Sequence, residues 1–109
     1  MLEEHIDQVE PMLPHDVHNI QLLYRASQHS FSVDRFHQCC DGTNNTLTLA
    51  KTEFGRVLGA FCGVAWQSPP RWEYVQDPSR STFLFSTHRS LKGLKFVAVK
   101  PKFMIGMHR

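Results

Sequence analysis

The chain has 109 residues, of which 41% are hydrophobic and 20% are charged, and its formal net charge is +2 at pH 7. These values are typical of one small globular domain and exclude a disordered chain. No apolar run approaches the roughly 20 residues that a transmembrane helix needs, so no transmembrane segment is expected.

The N-terminus and the cysteines indicate the compartment. The first ten residues are acidic, whereas a secretory signal carries basic residues and then an apolar run. The cysteines are odd in number and two of the three are adjacent, which disfavours a disulfide framework. We therefore expect a protein that is not secreted and that resides in the cytoplasm or nucleus, where thiols stay reduced.

Residues 1–16 are predicted to be a loose acidic leader, and residues 17–109 to form the domain. Pro11 and Pro14 interrupt the leader, which shows little periodicity. A first short helix is predicted over residues 17–24, because apolar residues recur there at helical spacing. The residues on this face are Val17, Ile20, Leu23 and Tyr24.

A second short helix is predicted to begin after Ser32, which is a favourable N-cap residue. Asp34 places a carboxylate in the first turn, where the helix dipole favours negative charge. Gly42 is suited to the left-handed conformation that commonly follows a helix end. The apolar stripe of this helix consists of Val33, Phe36, His37 and Cys40.

A β-hairpin is predicted at the centre of the chain. Polar and apolar residues alternate from Thr46 to Lys51, as in a half-buried strand. The turn is predicted at residues 53–55, where Gly55 tolerates a positive φ. The second strand, residues 57–66, is apolar on both faces. We therefore expect other elements to pack against both faces, as at the centre of a sandwich.

The remaining elements are a loop and short strands. Residues 67–81 are predicted to be an irregular loop, and strands are predicted at residues 82–86, 95–99 and 103–105. The order of elements predicts an α+β fold, mainly antiparallel β, with two short N-terminal helices against a two-sheet sandwich. The predicted structural core consists of Leu47, Leu49, Gly55, Gly59, Phe61, Trp66, Phe83 and Phe85.

The cysteines of the second helix are the residues with the most reactive chemistry. Cys39 and Cys40 are candidate redox thiols, with His37 nearby. Adjacent helical residues point about 100° apart, which disfavours a shared metal ion. A helix C-terminus also raises the pKa of a thiol, which disfavours a cysteine nucleophile. We expect no catalytic residue, no metal, no cofactor and no enzyme activity.

A basic stretch near the C-terminus leaves an alternative open. Lysines alternate there with apolar residues, as in weak binders of nucleic acid or acidic lipid. An edge strand protected by lysines explains the same pattern, so nucleic acid is the less favoured partner. The lysines concerned are Lys92, Lys95, Lys100 and Lys102.

Three segments occur in a characteristic order: LLYRASQHSFSVDRFHQCCDG, NTLTLAKTEFGRVLGAFCGVAW and STFLFS. Together they resemble the TLDc domain, a family associated with oxidation resistance and with regulators of the vacuolar proton-pumping ATPase. The resemblance is clearest over residues 20–86. The matching residues are Leu22, Leu23, Tyr24, Phe31, Ser32, Phe36, His37, Thr46, Leu47, Thr48, Leu49, Gly55, Val57, Gly59, Phe61, Trp66, Phe83, Leu84, Phe85 and Ser86.

The resemblance implies a non-catalytic protein-interaction module, linked to protection against oxidative stress, with subunits of the vacuolar ATPase as candidate partners. It carries over no catalytic or pump-binding residue. Ser30 and Ala60 stand where the family commonly has glycine, and the chain resembles roughly the first two-thirds of the domain, a partial sandwich. An incomplete sandwich exposes an apolar face and an unpaired edge, which predicts marginal stability, self-association or a need for a partner strand.

Overall fold

The computed structural model describes residues 7, 9–14, 16–78, 81–86, 95–96 and 105–107. Its elements are two 3₁₀ turns at Glu10–Met12 and Ala26–Gln28, a helix and six strands. In chain order they are helix α1 (Val33–Cys40) and strands β1 (Thr46–Lys51), β2 (Val57–Cys62), β3 (Glu73–Val75), β4 (Phe83–Ser86), β5 (Lys95–Phe96) and β6 (Ile105–Met107).

The strands form two antiparallel sheets. The larger has the order β1-β2-β4-β5, and the smaller pairs β3 with β6. In the larger sheet Leu47 lies opposite Phe61, and Phe61 lies opposite Phe83. The prediction of an α+β fold that is mainly antiparallel β is therefore confirmed.

Helix α1 forms where its end signals predict it. The Ser32 side chain accepts a hydrogen bond from the Arg35 backbone N–H at 3.2 Å, which satisfies one free donor of the first turn. Asp34 lies in that turn. Gly42 has φ of +82°, the left-handed conformation that lets the chain leave the helix.

The helix predicted over residues 17–24 is wrong, because this segment is neither helix nor strand. An eight-residue helix is marginal in water unless one face is packed. On the predicted face Ile20 is exposed, and Val17, Leu23 and Tyr24 are only partly buried, so packing gives a helix little support. Tyr24 is instead held by tertiary contacts: its hydroxyl donates to the Ser32 carbonyl oxygen at 3.1 Å, and its ring stacks on His29.

The central hairpin is confirmed, including its turn. The Thr52 N–H donates to the Arg56 carbonyl at 2.8 Å, and Gly55 has φ of +81°. The second strand is shorter than predicted, because it ends at Cys62 and not at Trp66. The reason is that the Gly63 N–H leaves the strand pairing and donates to the Thr82 hydroxyl at 2.9 Å.

The later strands are placed partly as predicted. Strand β4 lies within residues 82–86, whereas the predicted loop at 67–81 contains β3. Strand β3 pairs with β6, some 30 residues further on, and no local pattern signals such a distant partner. Of the predicted strands 95–99 and 103–105, residues 97–99 and 103–104 lie outside the described residues.

One face of the larger sheet carries the main core. Phe61, Phe83 and Phe85 are buried there with Val9. Met12, Leu13, Leu47 and Leu49 pack against them. A Cβ on Gly59 would lie 2.7 Å from the Thr48 carbonyl oxygen and would overlap the Phe85 ring. Val9 thus packs in the core from within the predicted leader, and the domain boundary at residue 16 stays a prediction.

The opposite face of the sheet is covered at one end. Cys62 and Met107 are buried together, with Val64, Trp66 and Val75 around them. Further along the same strands, Leu58 is 47% exposed and Leu84 is 53% exposed. The two sheets therefore meet at the Cys62 end, and the complete two-sheet sandwich is not confirmed.

Candidate functional site

A hydrogen-bonded cluster lies where helix α1 ends. Asp41 follows the helix, and its Oδ1 lies 2.8 Å from Nδ1 of His37, one turn earlier. The Ser68 hydroxyl donates to Asp41 Oδ2. We call His37, Asp41 and Ser68 the Asp41 cluster. Its position after the helix explains why one carboxylate reaches both the last helical turn and the loop beyond β2.

Trp66 joins this cluster to the hairpin. The Gly42 N–H donates to the Trp66 carbonyl at 2.9 Å. The Trp66 indole N–H donates to the Thr46 hydroxyl at 2.8 Å, and its ring meets Phe36 edge to face at 5.3 Å. Trp66 thus connects helix α1 to the first residue of β1, as a partly buried aromatic residue with a paired polar end commonly does.

The pKa of Asp41 is set by opposing effects. Burial acts to raise the pKa of Asp41, but the hydrogen bonds from Ser68 and His37 and the charge of His37 together lower it. The Ser68 hydroxyl donates to the carboxylate and not to the imidazole, so the arrangement lacks the serine-to-histidine bond that activates a nucleophile.

The candidate redox thiols have different surroundings. Cys40 is buried, and burial raises its thiol pKa, with smaller contributions from Cys39 and Asp41. Cys39 is partly exposed. A raised pKa reduces the thiolate population that reacts with oxidants, so Cys40 is the weaker candidate of the two. Redox activity at Cys39 stays a prediction.

The third cysteine, Cys62, lies in the strand core. It is buried, and burial raises its thiol pKa. All three cysteines are free. In the part of the chain that the structure describes, no group of three or more metal-binding side chains comes together.

A second polar cluster, at Asp77, was missed by the sequence reasoning. Asp77 is 8% exposed, and its Oδ2 accepts hydrogen bonds from the backbone N–H groups of Ser81 and Thr82 at 3.0 and 2.9 Å. The hydroxyls of both residues also donate to it. An Asp before proline and a Ser/Thr-rich run is a turn signal, and here it positions the start of β4.

The exposed apolar residues are the other candidate for function. On the larger sheet, Leu58 and Leu84 lie on the face that the core leaves open, beside Ala60. At the smaller sheet, the exposed ring of Tyr74 in β3 meets the exposed ring of Trp72, which precedes the strand, edge to face at 5.9 Å. Among the residues that the structure describes, the other exposed large apolar side chains are those of Ile20, Leu22, Phe31, Val33 and Phe54.

The residues predicted as structural core are distributed over both sides of the sheet. Leu47, Leu49, Gly59, Phe61, Phe83 and Phe85 lie at the main core, Trp66 packs at the Cys62 end, and Gly55 lies in the exposed turn. The predicted basic stretch lies largely outside the described residues, since of its four lysines only Lys95 belongs to a described strand. Binding of nucleic acid or acidic lipid there stays a prediction.

Comparison with known proteins identifies a family. The family model described as the TLDc domain matches residues 1–108, nearly the whole chain. No curated protein and no solved structure matches the chain. Within the described part of the chain, no helix combines the length and the apolarity that crossing a bilayer requires.

Proposed function

The chain belongs to the TLDc family, and on that basis we propose that it is a non-catalytic module that acts by binding another protein. The observation that carries the proposal is the open face of the larger sheet, where Leu58 and Leu84 remain about half exposed. Exposed apolar side chains grouped on a regular element commonly mark a surface that a partner covers.

The polar clusters at Asp41 and Asp77 also support this proposal. The Asp41 cluster joins a helix end to a loop, and the Asp77 cluster holds the start of a strand. In each cluster a carboxylate accepts the hydrogen bonds that join two segments of the chain, and such bonds support a structural role. We therefore propose that both clusters stabilise the fold.

The resemblance adds a candidate partner and a cellular role. We propose that the module acts in the cytoplasm in protection against oxidative stress, by binding the peripheral sector of the vacuolar proton-pumping ATPase. This assignment comes from the family alone, so a direct binding measurement is needed.

The experiment measures binding of the purified chain to the purified peripheral sector of the vacuolar ATPase by calorimetry, at low and high salt. The proposal expects saturable binding that persists as salt rises, because apolar burial is not screened by ions. Binding that falls steeply with salt would favour the basic stretch instead. Absence of binding at both salt concentrations would reject the ATPase assignment.

A further inference from the structure

A protein-kinase recognition pattern lies in the loop before β3. Its sequence is Ser68-Pro69-Pro70-Arg71, and Ser68 is the one serine or threonine of the chain that directly precedes proline. Proline-directed protein kinases read a hydroxyl residue with proline at the next position and a basic residue at the third. Proline holds the residue before it extended, as a substrate groove requires, and arginine pairs with carboxylates of an enzyme. Such a short motif needs a matching structural context.

The loop presents this motif in an accessible form. Residues 67–72, which we call the Ser68 loop, belong to neither a helix nor a strand. Gln67, Pro70 and Arg71 are exposed in it, and Ser68 is partly buried. The strand pairs that the structure describes do not include this loop, so it can enter a kinase groove without breaking a sheet.

The Ser68 hydroxyl has a contact that a phosphate would reverse. It donates a hydrogen bond to Asp41 Oδ2, immediately beyond the C-terminus of α1. A phosphoserine has lost that hydroxyl proton and carries a charge of about −1.5 to −2 at pH 7. Repulsion between two anions therefore replaces the hydrogen bond, and the negative end of the helix dipole adds to the repulsion.

The basic groups beside Ser68 are too few to cancel this repulsion. His37 lies on the other carboxylate oxygen, with its Nδ1 2.8 Å from Asp41 Oδ1, and Arg71 is exposed in the same loop. Together these two side chains carry at most two positive charges, whereas the phosphate and the Asp41 carboxylate carry about 2.5 to 3 negative charges. Negative charge remains in excess even if both cations turn towards it.

We propose that Ser68 is a phosphorylation site of a proline-directed protein kinase, and that its phosphate releases the Ser68 loop from the end of α1. In the reaction Ser68 Oγ attacks the γ-phosphorus of ATP and forms the new O–P bond. The bond to the oxygen that bridges the β- and γ-phosphates breaks, ADP leaves, and the hydroxyl proton passes to the catalytic aspartate of the kinase. The hydrogen bond from Gly42 to the Trp66 carbonyl joins the same two segments and is expected to weaken.

The first experiment tests the site by incubating the full chain with ATP and a purified proline-directed kinase. Intact-mass spectrometry is expected to show one added phosphate, and peptide fragmentation to place it on Ser68. Ser68→Ala and Pro69→Ala are expected to reduce incorporation to background, and the matched control Ser27→Ala, at another exposed serine, to leave it unchanged. Arg71→Ala is expected to lower the initial rate about tenfold, as loss of one charge-assisted hydrogen bond gives. Absence of incorporation, or full incorporation in Ser68→Ala, would overturn the proposal.

The second experiment tests the switch by comparing unfolding midpoints with and without the phosphate. The phosphate is expected to lower the midpoint more than Ser68→Ala does, because the alanine removes the hydrogen bond without adding charge. The drop is expected to be smaller in Asp41→Asn and at high salt, since the repulsion is then removed or screened. Hydrogen exchange of the Gly42 amide is expected to quicken in the phosphorylated parent chain.

Two results would reject the switch even where Ser68 is phosphorylated. A higher midpoint after phosphorylation would show that the phosphate gains a favourable partner. An equal drop in the parent and in Asp41→Asn, with unchanged exchange at Gly42, would show that the phosphate does not act against Asp41.

Discussion

The two faces of β2 and β4 differ sharply although both are apolar. Phe83 is fully buried on one face, and its neighbour Leu84 is 53% exposed on the other. In β2, Val57 is buried and Leu58 is half exposed. Large apolar side chains therefore lie on both sides of these strands, and their burial differs because different segments cover each side.

The segments that cover each face explain the difference. Val9, Met12 and Leu13 reach the core face from the N-terminal part of the chain. On the other face, β3 and β6 supply Val75 and Met107 next to Cys62. Among the described residues, this second cover stops short of Leu58 and Leu84. This comparison shows that an apolar strand predicts a surface that is buried in the fold, but does not predict which segment buries it.

The largest expected effect tests the comparison directly. Phe83→Ala is expected to lower the free energy of unfolding by about 4 kcal/mol, because it leaves a cavity among Phe61, Phe85 and Val9. Leu84→Ala, the adjacent residue on the other face, is expected to lower it by less than about 1 kcal/mol. Urea denaturation followed by fluorescence measures both.

Equal losses for these two variants would contradict the assignment of faces. A larger loss for Leu84→Ala would mean that the open face is covered in solution. Sizing chromatography of the same samples at several concentrations would then show whether a second copy provides that cover.

The second expected effect concerns the covered end of the open face. Trp66→Ala is expected to lower the free energy of unfolding by about 3 kcal/mol, because it removes the ring contact with Phe36 and packing near Cys62. Trp66→Phe keeps a ring and loses the hydrogen bond to Thr46, so about 1 kcal/mol is expected. Thermal or urea unfolding checks the order. A loss for the phenylalanine variant as large as for alanine would show that the indole N–H is the main contribution.

The smallest expected effect is a pH dependence at the Asp41 cluster. The pKa of Asp41 is lower in the folded chain than the roughly 3.9 of an unfolded chain, so its ionised form stabilises the fold. This contribution is present above the unfolded pKa and is lost as the pH falls through the folded pKa. Asp41→Asn is expected to lower the free energy of unfolding by about 1 kcal/mol at pH 7. Below the folded pKa of Asp41 the substitution is expected to leave it unchanged.

Denaturation of the parent and of Asp41→Asn across this acid range checks the prediction. Ser68→Ala provides a matched control, because it removes one of the hydrogen bonds that lower the pKa and leaves the carboxylate in place. A constant difference between parent and Asp41→Asn at every pH would contradict a role for the charge.

Several elements could be predicted because their signals are local. The cap at Ser32, the glycine at position 42 and the turn at Gly55 act through neighbouring backbone groups. The alternation of β1 likewise places Leu47 and Leu49 on one side. Each of these interactions joins residues a few positions apart, so a short stretch of the sequence contains both partners.

The elements that were predicted wrongly or missed depend on distant partners. Residues 17–24 have helical spacing, but their one strong anchor is Tyr24, which packs against His29 and Phe36 and bonds to Ser32. Strand β3 exists through its pairing with β6. These outcomes depend on contacts that periodicity within a short window does not contain.

The sequence by itself determined the family, the antiparallel hairpin and the capped helix, because local hydrogen bonding and side-chain alternation suffice for these. Tertiary structure alone decided that Val9 covers one face of the sheet and that Leu58 and Leu84 remain open on the other. It also decided that Asp41 would join His37 to Ser68. The physical reason is that burial depends on which distant segment reaches a surface, whereas strand and turn formation depends on neighbours in the chain.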